Sequence, residues 1–293
     1  MIESLCNLFS RNKNQEGGDA LNSPMVLLDI GCRWRFAERF LDAKYHQRMK
    51  IFGFDPDAEE CVRLMASYSN LPDGFIQCIP LALADRPGKR NLFITHEPAC
   101  SSLYPPIQYL ADNCPALECI KLDKIVSVDV DTLANWMAAT GLQSIEYIKV
   151  DTQGSELDIL KGAGEYLKTA RCIDIEVEFN PIYEGQCLFW EVDAYLRSNG
   201  FMLWRMQNMV HYSYDAERIA LNEPNMAHFD NVAQEIRAFG GQLFWADARY
   251  VHSSVLFGKY SEESWQLEQD LVLFEVLGMP DIKQHIQRQS NQK

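Results

Sequence analysis

The sequence lacks the features that would place it in several large classes. No stretch approaches the ~18 consecutive apolar residues a membrane-spanning helix needs. Met1 to Phe9 is apolar in part, but it has no basic leading region and no long apolar run of the secretory kind. Nine cysteines run from Cys6 to Cys187 without forming a Cys-x-x-Cys pair, and the closest two, Cys114 and Cys119, do not have zinc spacing. Six histidines lie far apart and give no HxH or HxxxH pattern. Lysine and arginine number 27 against 41 aspartates and glutamates, a formal charge of −14. A nucleic-acid binder or an anionic-membrane binder needs the opposite balance, because it must neutralise phosphates. Together these absences predict a cytoplasmic protein with free, buried thiols, no resident metal, no nucleic-acid partner and no membrane partner.

What is present is an ordinary globular composition, 47% hydrophobic and 23% charged, enough for a sizeable core without staples. Residues 1–23 read as a flexible arm, polar and glycine-containing from Ser10 onward. From Met25 the pattern changes. Short apolar runs (Val26–Ile30, Ile51–Phe54, Phe75–Leu83, Ile145–Val150, Cys172–Phe179) alternate with helical-period segments (Arg35–Gln47, Ala58–Tyr68, Ser155–Leu167, Leu188–Asn199). Continuous apolar strands separated by helices predict an α/β fold with a mostly parallel, doubly wound, Rossmann-like sheet. Such sheets bind ligands beyond the carboxyl ends of their strands, where strand order reverses.

Residues 90–144 interrupt the alternation and read as an insertion. It holds a short strand at Asn91–Thr95, a Ser/Pro-rich loop over the site (Pro98–Pro106), a strand at Ile125–Val130, and a helix near Thr132–Ala139. Phe201–Arg205, His211–Tyr214 and Tyr250–Leu256 are candidate strands for an antiparallel edge that closes the domain at about residue 258. Ser261–Leu277 has helical spacing and packs either on the domain or on a second subunit as a homodimer. Gln284–Lys293 reads as a polar tail.

The chemistry-bearing residues sit at strand ends. The first strand ends in Asp29-Ile30-Gly31, an acid two positions before a glycine at a strand-to-helix turn. S-adenosylmethionine (SAM) sites use this arrangement, since the glycine lets backbone approach the ligand and the next helix offers free N–H groups. The second strand ends in Asp55, placed to accept ribose hydroxyls, while Asp57 reads as the cap of the next helix. The third runs into Leu81-Ala82-Leu83-Ala84-Asp85, where Ala82 would flank an adenine. Asp85 would accept from the adenine amino group or simply start a turn. The fourth delivers Asp151 ahead of a tight turn at Gly154 and a helix capped by Ser155 or Asp151. The fifth, Asp174-Ile175-Glu176-Val177-Glu178, puts three carboxylates on one strand face.

The segment Ile148-Lys149-Val150-Asp151-Thr152-Gln153-Gly154-Ser155-Glu156-Leu157-Asp158-Ile159-Leu160-Lys161-Gly162-Ala163 resembles the signature of the FkbM methyltransferase family, roughly I-K-[ILV]-D-x-[EQ]-G-x-E-x-x-[VIL]-L-x-G-A. Ser101-Ser102-Leu103, Val128-Asp129-Val130-Asp131-Thr132-Leu133 and the acidic fifth strand resemble further family features, over about residues 24–257. One motif departs. Where the family has D-x-G-A-N-x-G, this chain has Asp29-Ile30-Gly31-Cys32-Arg33-Trp34-Arg35.

The resemblance implies a class I methyltransferase fold with SAM as cofactor and O-methylation of a sugar or natural-product hydroxyl. The acceptor would be a small molecule or a glycan. Asp29, Gly31, Arg33, Asp55, Ala82, Asp85 and Asp151 are the candidate cofactor residues, and Arg33 or Arg35 could grip the cofactor's carboxylate. Asp151, Glu178 and Glu156 are the candidate bases or hydroxyl-orienting groups. Tyr104, Tyr109, Tyr183 and Trp190 are candidates to stack on a sugar ring. Two rivals stand beside this reading. One is a degenerate relative acting as a binding or scaffold protein, expected if Trp34 or Arg35 fills the adenosine cleft. The other, a nicotinamide dehydrogenase, is poor, because no GxGxxG follows the first strand.

Overall fold

The computed structural model describes residues 23–212, 241–260 and 265–290. Residues 1–22 of the expected arm, Tyr214 of an expected strand, Ser261 at the start of an expected helix and the last three residues of the expected tail lie outside the described residues.

In the first half of the chain, β1 (Met25–Ile30), β2 (Met49–Phe54), α1 (Ala58–Ser67) and β3 (Ile76–Ile79) lead to β4 (Ala82–Leu83), β5 (Gly88–Thr95), α2 (Gln108–Asn113), β6 (Leu122–Asp131) and α3 (Leu133–Thr140). The second half runs β7 (Tyr147–Val150), α4 (Glu156–Gly162), β8 (Cys172–Glu178), α5 (Phe189–Ser198), β9 (Phe201–Tyr212), β10 (Gln242–His252), α6 (Ser253–Phe257), α7 (Trp265–Val276) and α8 (Pro280–Ser290).

The main sheet has seven strands in the order β3-β2-β1-β7-β8-β10-β9. Within it β3, β2, β1, β7 and β8 pair in parallel, and β10 runs antiparallel to both β8 and β9. All six residues of β1 are buried, and alternate side chains enter opposite cores. Val26, Leu28 and Ile30 join Trp136, Ile148 and Ile173 on one face, while Met25 and Leu27 join Phe36, Phe40 and Phe274 on the other. Strand order reverses between β1 and β7, so the crevice above their carboxyl ends is the expected ligand position.

Several elements differ from the sequence expectation: the Phe75–Leu83 run is two strands in separate sheets, β3 and β4, and Phe201–Arg205 and His211 belong to the single strand β9. Arg35–Gln47 is not a helix but two single 3-10 turns, Glu38–Phe40 and Ala43–Tyr45. Asp42 interrupts it by accepting from the Lys44 amide, a local bond that competes with helical pairing. Its apolar residues still fill the core: the Phe36 ring lies where a side chain on Gly53 would stand, 2.6 Å from its notional Cβ. Tyr250–Leu256 is split, because the His252 side chain accepts from the Ser254 amide and turns the end of β10 into α6. The expected polar tail is mostly α8, which buries Ile282 and Ile286. α7 and α8 pack on this domain, in the same core as Met25 and Leu27.

The insertion forms a separate three-stranded sheet, β4-β6-β5. Leu92 pairs with Val126, and Ile94 with Lys124, on the face that looks into the crevice.

Candidate functional site

Beyond the carboxyl ends of β1, β2, β7 and β8 lies a cleft of about 970 Å³ whose polar wall includes Arg33, Asp55, Lys149, Asp151, Gln153 and Glu176. Gly31 forms its floor with φ +81°, and a Cβ there would stand 1.8 Å from the Asp151 carbonyl oxygen. Glycine is required by this approach of two strand ends, whatever the ligand. Asp29 lies one residue pair deeper, with its carboxylate 3.3 Å from Lys149 Nζ, and the same ammonium stands 3.4 Å from Asp151. Burial opposes the ammonium, but the two carboxylates outweigh it and push the Lys149 pKa up, so it remains a cation.

No helix follows Gly31, so the free N–H groups expected there are absent. Trp34 takes a left-handed φ of 77°, and its amide donates to Glu60 while Arg63 donates to its carbonyl. The Arg63 guanidinium, also bonded to Glu60, holds that carboxyl down at about 2. Arg35 points to solvent and does not line the cleft. Arg33 does line it. Its Nη2 donates to Asp57 at 3.2 Å, its Nη1 stands 3.8 Å from Asp55, and its Nε is buried with no partner. Asp57 caps α1 through the Glu59 and Glu60 amides, and Asp55 accepts the Asp57 amide at 2.8 Å. Beneath this loop three free thiols meet: Cys78 Sγ lies 2.8 Å from Cys61 Sγ and 3.5 Å from Cys32 Sγ.

The loop after β7 is built differently. Gln153 and Gly154 take left-handed φ values of 59° and 108°, and the Glu156 carboxylate turns back to accept the Thr152 amide, the Thr152 hydroxyl and the Gly154 amide. Neither Ser155 nor Asp151, the two residues offered as its cap, caps α4 through its side chain: the Ser155 hydroxyl donates to Thr152, and Glu156 braces the loop ahead of the helix. The Gln153 side-chain amide donates to Glu176 at 2.6 Å and to Asp151 at 3.2 Å, and its carbonyl accepts from Tyr183. Glu156, Glu176 and Glu178 hold carboxylate oxygens within 4.8 Å of one another. Burial first, then neighbouring carboxylates, push Glu176 and Glu178 well above the usual range. Glu176 faces the cleft, whereas Glu156 and Glu178 are sealed behind the loop.

The insertion is tied to this loop. The buried Ser102 hydroxyl donates to the Gln153 carbonyl and accepts from the Tyr104 amide, and Tyr183 donates to the Cys100 carbonyl. Ala82 reaches the cleft wall. Asp85 does not, because it is engaged by Arg90, which also holds Asp158 at 2.8 Å.

A family model described as the methyltransferase FkbM domain matches residues 21–203, more than half of the chain. The chain belongs to the FkbM methyltransferase family. A curated relative, the 2-O-methyltransferase NoeI of Sinorhizobium fredii, is 28% identical over 165 residues, which cover 55% of this chain and 66% of that protein, just under two thirds of its length. Among solved structures, magnesium protoporphyrin IX methyltransferase from Synechocystis, with bound SAM, overlaps 86% of this chain and 77% of its own at 10% identity and TM-score 0.35. A SAM-dependent methyltransferase from Aquifex aeolicus overlaps 85% and 89% at 13% identity and TM-score 0.33. At these scores the architecture rests on the strand order itself, which is the Rossmann-like class I methyltransferase fold with its antiparallel edge.

The FkbM signature now has physical content. Asp151, Gln153 and Lys149 line the cleft, Glu156 braces the turn, and Gly162 is needed because a Cβ there would stand 2.1 Å from the Ala84 carbonyl. Sequence reasoning weighed Glu178 above Glu176 and passed over Lys149. The signal for Lys149 was its register opposite Asp29, visible only once β1 and β7 pair. The four aromatic candidates do not line the cleft. Tyr183 is core, Tyr104 donates to Asp158, and Tyr109 and Trp190 sit on outer helix faces, 69% and 66% exposed. Trp34, named in the sequence only as a side chain that would fill the adenosine cleft in a degenerate relative, stands at the cleft rim, 56% exposed.

Proposed function

We propose that this protein transfers a methyl group from SAM to a hydroxyl of a sugar or natural-product acceptor. The observation that carries the reading is the convergence of Gly31, Asp55 and Asp151 on one open cleft at the point where strand order reverses. The residues fit the cofactor. Asp55 offers a carboxylate for a ribose diol, Leu81, Ala82 and Leu83 give apolar flanks for adenine, and the buried unpartnered Arg33 Nε lacks only an acceptor. Neither Trp34 nor Arg35 fills the cleft, which favours the enzyme over the scaffold reading.

Bound SAM supplies an electrophilic methyl group on a sulfonium. The protein's part is placement, which in well-oriented reactions contributes ~7–11 kcal/mol. Lys149 fixes Asp151 from one side and the Gln153 amide fixes it from the other, so that carboxylate can orient an acceptor hydroxyl and take its proton. A base so placed contributes ~10²–10⁴-fold. Glu176, held by the same amide and pushed up by burial, is a second carboxyl facing the acceptor position. This role passes to Glu176 from Glu178, and Glu156 becomes a brace for the loop. Leu92, Ile94, Val126 and Val128 of the insertion sheet give the cleft an apolar wall beside Lys124.

Calorimetric titration with SAM and S-adenosylhomocysteine tests the reading. Micromolar binding that is lost in Asp55→Ala is the expected result. No heat at millimolar ligand would overturn it in favour of the scaffold.

A further inference from the structure

The family's first motif carries small residues where this chain has Arg33, and the structure shows what the guanidinium does. It lies over the end of β2, bonded to Asp57 at 3.2 Å and 3.8 Å from Asp55. The backbone around it is fixed from both sides of Trp34 by Glu60 and Arg63. The guanidinium itself is poorly served. Of its five N–H donors, one meets Asp57 in a hydrogen bond, and Nε is buried without a partner. An arginine that underused is held by Coulomb attraction to two carboxylates more than by geometry, and moving it forfeits little hydrogen bonding. Yet it stands beside the carboxylate that a ribose diol must reach.

We propose that Arg33 is the affinity-setting residue of the nucleoside site, an internal competitor that covers the Asp55–Asp57 pair until a ribose diol replaces it. The inference rests on the proposed SAM site and deepens it. A vicinal diol donates two hydrogen bonds to Asp55, as the guanidinium cannot at 3.8 Å. Released, Arg33 has free donors for an anionic group of the ligand. The family resemblance offers Arg33 or Arg35 to the cofactor's carboxylate. The structure instead puts it at the ribose end, so any carboxylate contact comes only after exchange.

The test uses S-adenosylhomocysteine, a zwitterion without net charge, so its own attraction to the site changes little with salt. Its affinity for the wild-type protein is measured by calorimetry at ~0.05 M and ~1 M salt, which shortens the screening length from more than 10 Å to about 3 Å. Arg33→Met, which keeps a flexible stem beside Trp34, is measured alongside. Wild-type binding tightens at high salt. Arg33→Met binds about 3–10-fold tighter than wild type at low salt, in keeping with a partly exposed ion pair, and loses the salt dependence. Measurable wild-type binding that is unaffected or weakened by salt, or a variant that binds no tighter, overturns the competitor role and leaves the SAM reading standing. No binding by either protein overturns both.

Discussion

Two crossings that leave parallel strands of the same sheet face the same cleft and are built on opposite principles. The crossing after β7 is determined from all sides: Glu156 occupies three donors of its own loop, Ser102 reaches in from the insertion, and Gly162 admits the Ala84 carbonyl. The crossing after β1 has no helix, an arginine and a tryptophan at its tip, and an exposed Arg35 where the family has a final glycine. A glycine constraint therefore belongs to a contact and not to a motif. Where no helix packs on the strand, the last glycine has nothing to make room for. Gly31 persists because the Asp151 carbonyl still passes over it.

The sharpest way to break this contrast is Gly31→Ala. A side chain at φ +81° and 1.8 Å from a carbonyl should cost about 3 kcal/mol or more, read as a large drop in melting temperature. A mild effect would mean that β1 and β7 need not approach there.

The next prediction uses the acid cluster behind the β7 loop. Burial, with Glu156 and Asp151 adding to it, raises the folded-state pKa of Glu178 well above its ordinary 4.5. The folded protein then holds a proton that the unfolded chain releases. This contribution is fully present below 4.5 and fades as pH rises toward the folded value. Wild type should lose up to ~1.4 kcal/mol per pH unit from this group as pH rises above its ordinary 4.5 toward the raised folded value. Glu178→Gln, unable to ionise, should show a flatter melting curve against pH. Equal slopes would show that Glu178 is not held protonated.

The smallest effect is expected from Arg35→Gly, which restores the family's residue. With the side chain in solvent and no helix to accommodate, stability should change by less than ~0.5 kcal/mol. A loss of several degrees would reveal a contact at Arg35 that matters to the first crossing.

Much of this site was legible in the sequence, for identifiable reasons. Asp29, Gly31, Asp55, Ala82 and Asp151 stand at strand ends, and buried parallel strands announce themselves as continuous apolar runs. The helical stripe of Leu157, Leu160 and Ala163 was equally plain, and all three are buried. The Arg35–Gln47 segment misled because Phe36 and Phe40, like Ala37 and Leu41, stand four residues apart, as on one helix face. Two 3-10 turns and the loop before them bury Phe36, Phe40 and Tyr45 instead. The tail Gln284–Lys293 misled because Ile286 is its only apolar residue, too little to announce a packed helix.

Alone, the sequence determined the periodicities, hence the sheet, its helices and the strand-end residues, because burial requirements act along the chain at fixed spacing. Only the tertiary structure decided which of several carboxylates faces the cleft and what Arg33 covers. Glu156, Glu176 and Glu178 look alike in the sequence. What separates them is whether loop amides, a neighbouring glutamine or open space stands opposite each one, and those partners come from other strands and from an insertion some fifty residues away.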